Sequence, residues 1–185
     1  MASLPQSHRV TYDEWLRMPE VKGIAEEVVN GEIRHMPAPS WKHAGIIQNA
    51  YAQIRPQVDP HEVAVVISQF DLIIRRQPLY TRQPDLAMFL RKTIVEKDGR
   101  IHSAPQLIGE VLSPSSTRRG REELVSDYAS LGVPEVWFFS PEVRAIEVLQ
   151  LEDGGYHHIG AFAEGILKPL HFPNVQIDIT RIWPD

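Results

Sequence analysis

The alternation of apolar and polar positions along the chain divides it into short strands and three helices. Thr11-Tyr-Asp-Glu14 has the form of a capping box, in which the Thr hydroxyl and the Glu carboxylate satisfy the first backbone amides of a short helix through Met18. In IAEEVVNGEIRHM, Asn30-Gly31 lies between two apolar-rich arms and predicts a hairpin, because both residues accept positive φ. Ser40 can cap a helix carrying Ala44, Ile47, Ala50, Tyr51 and Ile54 at helical spacing, with Pro56 to end it. VAVVIS, FDLII, LAMFL and LIGEVL are each of strand length and rich in β-branched or aromatic residues. Residues 117–131 return to helical spacing, with Leu124, Tyr128 and Leu131 on one stripe and Gly132 suited to the C-terminal cap. EVWFFS reads as a buried strand. VRAIEVLQL and YHHIGAF flank Glu152-Asp-Gly-Gly155, a second hairpin signal, and VQIDITRIW closes the chain in apolar alternation.

The unit of LIGEVL, helix 117–131 and EVWFFS is a strand, helix, strand succession, which implies a right-handed parallel crossover. With hairpins on either side, the expectation is one α/β domain over residues 1–185, a mixed β-sheet flanked by helices. There is no repeat, low-complexity segment or Pro/Gly/Ser-rich linker to divide it.

Composition narrows the chemistry. A chain of 185 residues is long enough to bury roughly two-thirds of its unfolded surface, so it needs no metal or disulfide to fold. With no cysteine, thiolate zinc sites and cysteine nucleophiles are excluded, leaving Asp, Glu and His as metal ligands. The N-terminus lacks a signal-peptide core, and no run approaches the ~18 apolar residues of a membrane span, so a soluble, cytoplasmic protein without membrane contact is expected. A formal charge of -5 does not announce a nucleic-acid binder, though a local basic patch can coexist with it.

Against that background one acid stands out. Glu110 sits between Leu107-Ile108 and Val111-Leu112, in a strand that a helix should cover, where a carboxylate is costly unless paired or metal-bound. Asp85 follows Pro84 at the head of LAMFL. If the two strands are neighbours, both carboxylates project toward one point and form a hard oxygen site suited to Mg²⁺ or Mn²⁺. The alternatives are a turn or capping role for Asp85 and a buried cationic partner for Glu110, with Arg82 and Lys42 as candidates.

Arg82-Gln-Pro-Asp85, Glu110-Val-Leu-Ser-Pro-Ser115, and Tyr128 followed by Leu131-Gly-Val-Pro-Glu135-Val-Trp137 together resemble the Uma2 family (DUF820) of restriction endonucleases in the PD-(D/E)XK nuclease superfamily. Glu27-Val-Val-Asn-Gly31-Glu32, Met36-Pro37 and Ser40-Trp-Lys-His43 fit its upstream part, and the resemblance runs from about Thr11 to Ile182. It implies a restriction-endonuclease-like core and DNA as the substrate. It also implies that Asp85 and Glu110 are paired metal-binding acids on adjacent strands, with Glu27 as a third acid from the N-terminal hairpin. Its neighbour Glu26 is excluded from that role if strand alternation turns only one of them inward. His43 would lie near the site, with a capping or surface role as the alternative.

The chain departs from the pattern at the lysine that helps to position the attacking water. The superfamily place for it is Leu112, and the family place on the following helix is Leu124. The substitute by spacing is Arg121, three residues before Leu124 on the same helix face, with Arg118 and Arg119 nearer the strand end. Arginine clamps phosphate but is a poor proton acceptor. The expectation is therefore an Mg²⁺- or Mn²⁺-dependent endonuclease of DNA, weakened by the missing lysine. The alternative is a degenerate nuclease fold acting in binding or assembly. Cutting both strands suggests a homodimer, for which Trp137-Phe-Phe139 and VQIDITRIW are candidate surfaces, unless they are simply core.

Overall fold

The computed structural model describes residues 9–19, 23–67, 70–113 and 118–184, with the side chains of residues 118 and 119 outside that description. Its elements in chain order are α1 (Tyr12–Arg17), β1 (Ala25–Val29), β2 (Glu32–Met36), α2 (Trp41–Ile54), β3 (Val63–Val66), β4 (Leu72–Arg76), β5 (Leu79–Arg82), β6 (Leu86–Leu90), β7 (Glu96–Lys97), β8 (Arg100–Ile101), β9 (Leu107–Val111), α3 (Arg118–Leu131), β10 (Glu135–Ser140), β11 (Ala145–Glu152), β12 (Gly155–Phe162), β13 (Ile166–Leu167) and β14 (Ile177–Asp178). The local signals act as the sequence indicates. Thr11 and Glu14 close the capping box of α1, Asn30 and Gly31 take φ of 55° and 76° between β1 and β2, and the Ser40 hydroxyl accepts from the His43 amide to start α2. Gly132, at φ 84°, ends α3.

A six-stranded sheet in the order β12-β11-β10-β9-β6-β3 forms the centre. Only β9 and β10 run parallel, joined by α3, which gives the mixed sheet expected of the crossover. Alternation along β9 sends Leu107 and Val111 to one face and Ile108 to the other. On the first face α2 packs through Ile46, Ile47, Ala50 and Ile54, together with the C-terminal residues Phe172, Val175, Ile177, Ile179 and Ile182. On the second face α3 packs through Tyr128 against Ile108, Val136 and Phe138. A smaller sheet, β5-β4-β8-β7, and the β1-β2 hairpin lie beside this core. The hairpin is pinned to β5, since the Val28 amide donates to Thr81 Oγ1 at 2.8 Å and the Gly31 amide to the Leu79 carbonyl at 2.9 Å.

The C-terminal alternation serves a different geometry from the strand it suggests. Only Ile177–Asp178 is strand, and Ile179–Arg181 is a 3₁₀ turn. The Asp178 carboxylate accepts from the Thr180 amide at 3.0 Å and turns the chain there. Trp137, Phe139, Ile179 and Ile182 are all buried, so both stretches weighed as dimer surfaces are core. The sequence reading also overlooked β5, whose LYTR carries an arginine where a buried strand is expected to be apolar. Among the described residues no helix is long and apolar enough to cross a membrane.

Candidate metal centre

β6 and β9 are antiparallel neighbours with Leu86 opposite Gly109. One step further, at the mouth of the strand pair, Asp85 stands across from Glu110. Gly109 leaves room for a side chain of the next strand, β10: a Cβ there would lie 2.9 Å from Phe139 Cε2, closer than real contacts allow. The Val111 amide donates to Asp85 Oδ2 at 2.8 Å, fixing that carboxylate at the strand end. Its other oxygen, Oδ1, is 2.8 Å from His43 Nε2 on α2. The histidine that the resemblance put near the site therefore touches one of its acids.

Glu110 points to the opposite face of β9 from Leu107 and Val111, toward α3. There the Tyr128 hydroxyl donates to Glu110 Oε1 in a short hydrogen bond. Burial is the main cause that pushes the Glu110 carboxyl well above the ordinary glutamate range, and the charge of Asp85 is the next. The Tyr128 hydrogen bond and Arg82 act the other way, while Glu27 adds to the rise. Tyr128 is raised as well, by its burial and then by the Glu110 charge. Neither Arg82 nor Lys42 pairs with Glu110.

Arg82 instead joins a separate buried network. Its guanidinium donates to Glu27 Oε2 at 2.7 Å and to Asp127 Oδ2 at 2.6 Å. Burial opposes the Arg82 charge, and the two carboxylates outweigh it and hold the guanidinium charged. Glu27 is the inward member of its pair: it is buried, whereas Glu26 lies 3.2 Å from His35 Nδ1. Its other oxygen accepts from the Gln83 amide at 3.0 Å. The Glu27 carboxylate is thus engaged on both oxygens, by Arg82 and by the Gln83 amide, and its charge still reaches Glu110. Among the described residues no three His, Asp or Glu side chains are set so as to hold one ion.

Among the described residues no cationic side chain hydrogen-bonds or ion-pairs with Glu110 in place of the missing lysine. Leu124 packs partly buried in the α3 cluster, as does Leu112. Arg121 does lie on the Glu110 face of the sheet: Phe138 is in register with Glu110 on one side and with Glu147 on the other. The Arg121 guanidinium rests 4.8 Å over the Phe138 ring and pairs with Glu147 at 2.5 Å. It is thus two strands away from the acid and engaged there. The side chains of Arg118 and Arg119, the other substitutes considered, lie outside the described residues.

Asp127 is the site residue that the sequence reading missed, while Arg82, weighed there as a partner of Glu110, serves Glu27 and Asp127, and Tyr128, there a motif and stripe residue, serves Glu110. Asp127 next to Tyr128 on an otherwise apolar helix face was the available signal, since a buried acid calls for a cation.

A hard divalent cation fits Asp85 and Glu110. The donors are all oxygen, and the Glu110 carboxyl, raised by burial and then by the Asp85 charge, would be offset there by a bound cation.

Comparison with known proteins bears on the fold and the family. No curated protein matches the chain. A solved structure described as "a putative nuclease belonging to DUF820" from Anabaena variabilis ATCC 29413 shares the fold with a TM-score of 0.75 at 21% identity, over 94% of this chain and 97% of that one. Residues 12–180 match the family model Uma2, described as "Putative restriction endonuclease". With the match spanning nearly the whole chain, the protein belongs to the Uma2 family.

Proposed function

We propose that the protein is an Mg²⁺- or Mn²⁺-dependent endonuclease that hydrolyses DNA phosphodiesters at Asp85 and Glu110. The observation that carries this reading is the half-buried Glu110 carboxyl, placed across from Asp85 and partnered by a tyrosine instead of a cation. A fold that needs no metal for stability has no other evident use for such a pair.

Asp85 and Glu110 would hold the ion, which supplies Lewis acidity toward a phosphate oxygen and acidifies water. His43 orients Asp85 through Oδ1, and the Val111 amide fixes Oδ2, so that carboxylate is preorganised before anything binds. Tyr128 orients Glu110 in the same way. Glu27 is the third acid of the proposal. Arg82 and Gln83 each use one of its oxygens and leave lone pairs over. Arg121 is the cation available on the Glu110 face, and it would have to exchange Glu147 for a phosphate to act. Because one chain carries one such site, cutting both strands would take two copies, a homodimer that light scattering would detect.

A second reading, a nuclease scaffold retained for binding, is favoured by Leu112 and Leu124 at both lysine places and by the engaged Arg121. Plasmid cleavage in Mn²⁺ separates the two. We expect weak cleavage by the parent, none by Glu110→Ala, and a gain in Leu124→Lys, which sets an ammonium one turn before Tyr128. Absence of cleavage in a folded Leu124→Lys protein that also fails to bind Mn²⁺ would sink the nuclease reading.

A further inference from the structure

Beside the acid pair the chain leaves an aromatic residue uncovered. Residues 34–42 are exposed throughout, from β2 into the first turn of α2. Within them Met36 is 41% exposed and Trp41, the first residue of α2, is 84% exposed. Folds normally cover tryptophan, because burying an aromatic side chain removes on the order of 150–250 Å² from water. This chain does so elsewhere, leaving Trp15 at 8% and Trp137 at 1%.

The position of Trp41 relative to the site is set by the helix. His43, two residues on, touches Asp85. Two residues advance about 3 Å along a helix and turn about 200° around it, so Trp41 points outward at the rim while His43 points into the site. Lys42 lies between them, exposed, and no carboxylate pairs with it among the described residues. Pro37 and Pro39 restrict the approach to α2, which lowers the entropy lost when this segment takes up a ligand. An aromatic plane and an ammonium with no carboxylate partner among the described residues therefore stand on the same helical turn whose His43 touches the acid pair. That succession suits a polynucleotide, which presents a base face and a phosphate at each step.

We propose that Trp41 is a stacking platform for a base of the strand bound at the Asp85 and Glu110 site, with Lys42 on an adjacent phosphate. This rests on the nuclease reading and refines its substrate class. A base can offer its face to Trp41 only where it is unstacked, so the preferred substrate is single-stranded or locally opened nucleic acid, contacted within a few nucleotides of the scissile phosphate.

The test uses a fluorescein-labelled single-stranded oligonucleotide and its duplex, followed by anisotropy in Ca²⁺, together with tryptophan emission. The parent should bind the strand more tightly than the duplex, with quenched emission. Trp41→Ala should weaken strand binding about tenfold, the size of one base–aromatic stack. Trp41→Phe should keep most of the affinity and lose the quenching. Circular dichroism checks that the fold is unchanged. If Trp41→Ala binds the strand as the parent does, stacking is overturned and the nuclease reading stands. If that variant instead loses self-association or binding to phosphatidylglycerol vesicles, the surface belongs to a protein or a lipid, and the proposal is again overturned. If the parent binds neither form of DNA, the nuclease reading fails and stacking fails with it.

Discussion

Glu110 is a glutamate that the fold makes reluctant to ionise. Its carboxyl is half-buried, faces the charge of Asp85, and is raised well above the ordinary range. A group that binds its proton more tightly when folded lends stability at low pH. That stability is lost as pH rises from the ordinary carboxylate range through the raised value. In EDTA the parent should therefore lose thermal stability over that interval, and Glu110→Gln should show a flatter profile. Mn²⁺ should raise the melting temperature of the parent near neutral pH and leave Glu110→Gln unmoved. An equal Mn²⁺ shift in both proteins would remove Glu110 from the ligand set. The inward choice of Glu27 over Glu26 was legible from strand alternation. Its engagement was not, because Arg82 lies 55 positions away in sequence and meets Glu27 only when the hairpin docks on β5.

At the scale of elements, β9 lies beside β10 with the Phe139 side chain packed over Gly109, on the face opposite Glu110. Gly109 permits this, since a Cβ would meet Phe139 Cε2 at 2.9 Å and the Leu86 side chain at 3.4 Å. Gly109→Ala should destabilise the protein by about 1–3 kcal/mol, the usual cost of overpacking, as measured by urea unfolding. It should also weaken Mn²⁺ binding, because the displaced strand carries Glu110 and the Val111 amide that holds Asp85. Stability loss with unchanged Mn²⁺ affinity would show that the two acids do not depend on this packing. The helices and hairpins were readable because their signals are local: a cap, a turn dipeptide or a stripe. β5 was not, because its buried Arg82 is acceptable only with two carboxylates from other elements.

Over the whole molecule, the C-terminal segment closes the core on the α2 side. Phe172, Val175, Ile177, Ile179 and Ile182 are buried there, and side chains of α2 clasp the segment: Asn49 donates to the Ile182 carbonyl at 3.0 Å and Gln53 accepts from the Asp178 amide at 2.9 Å. Ending the chain before Phe172 should abolish cooperative thermal unfolding, and Ile182→Ala alone should cost about 2–5 kcal/mol. A truncated chain that melts as sharply as the parent would show that α2 is held by the sheet alone. The sequence by itself determined the α/β crossover, the three helices, the hairpins and the family resemblance, because these depend on periodicity, turn chemistry and motif order along the chain. Only the tertiary structure decided that Arg82 serves Glu27 and Asp127, that Arg121 is held by Glu147, that Tyr128 takes Glu110, and that the C-terminal alternation is core. Each of those outcomes is a competition among charged or apolar groups for partners distant in sequence, and such a competition is settled by which groups packing brings within hydrogen-bond reach.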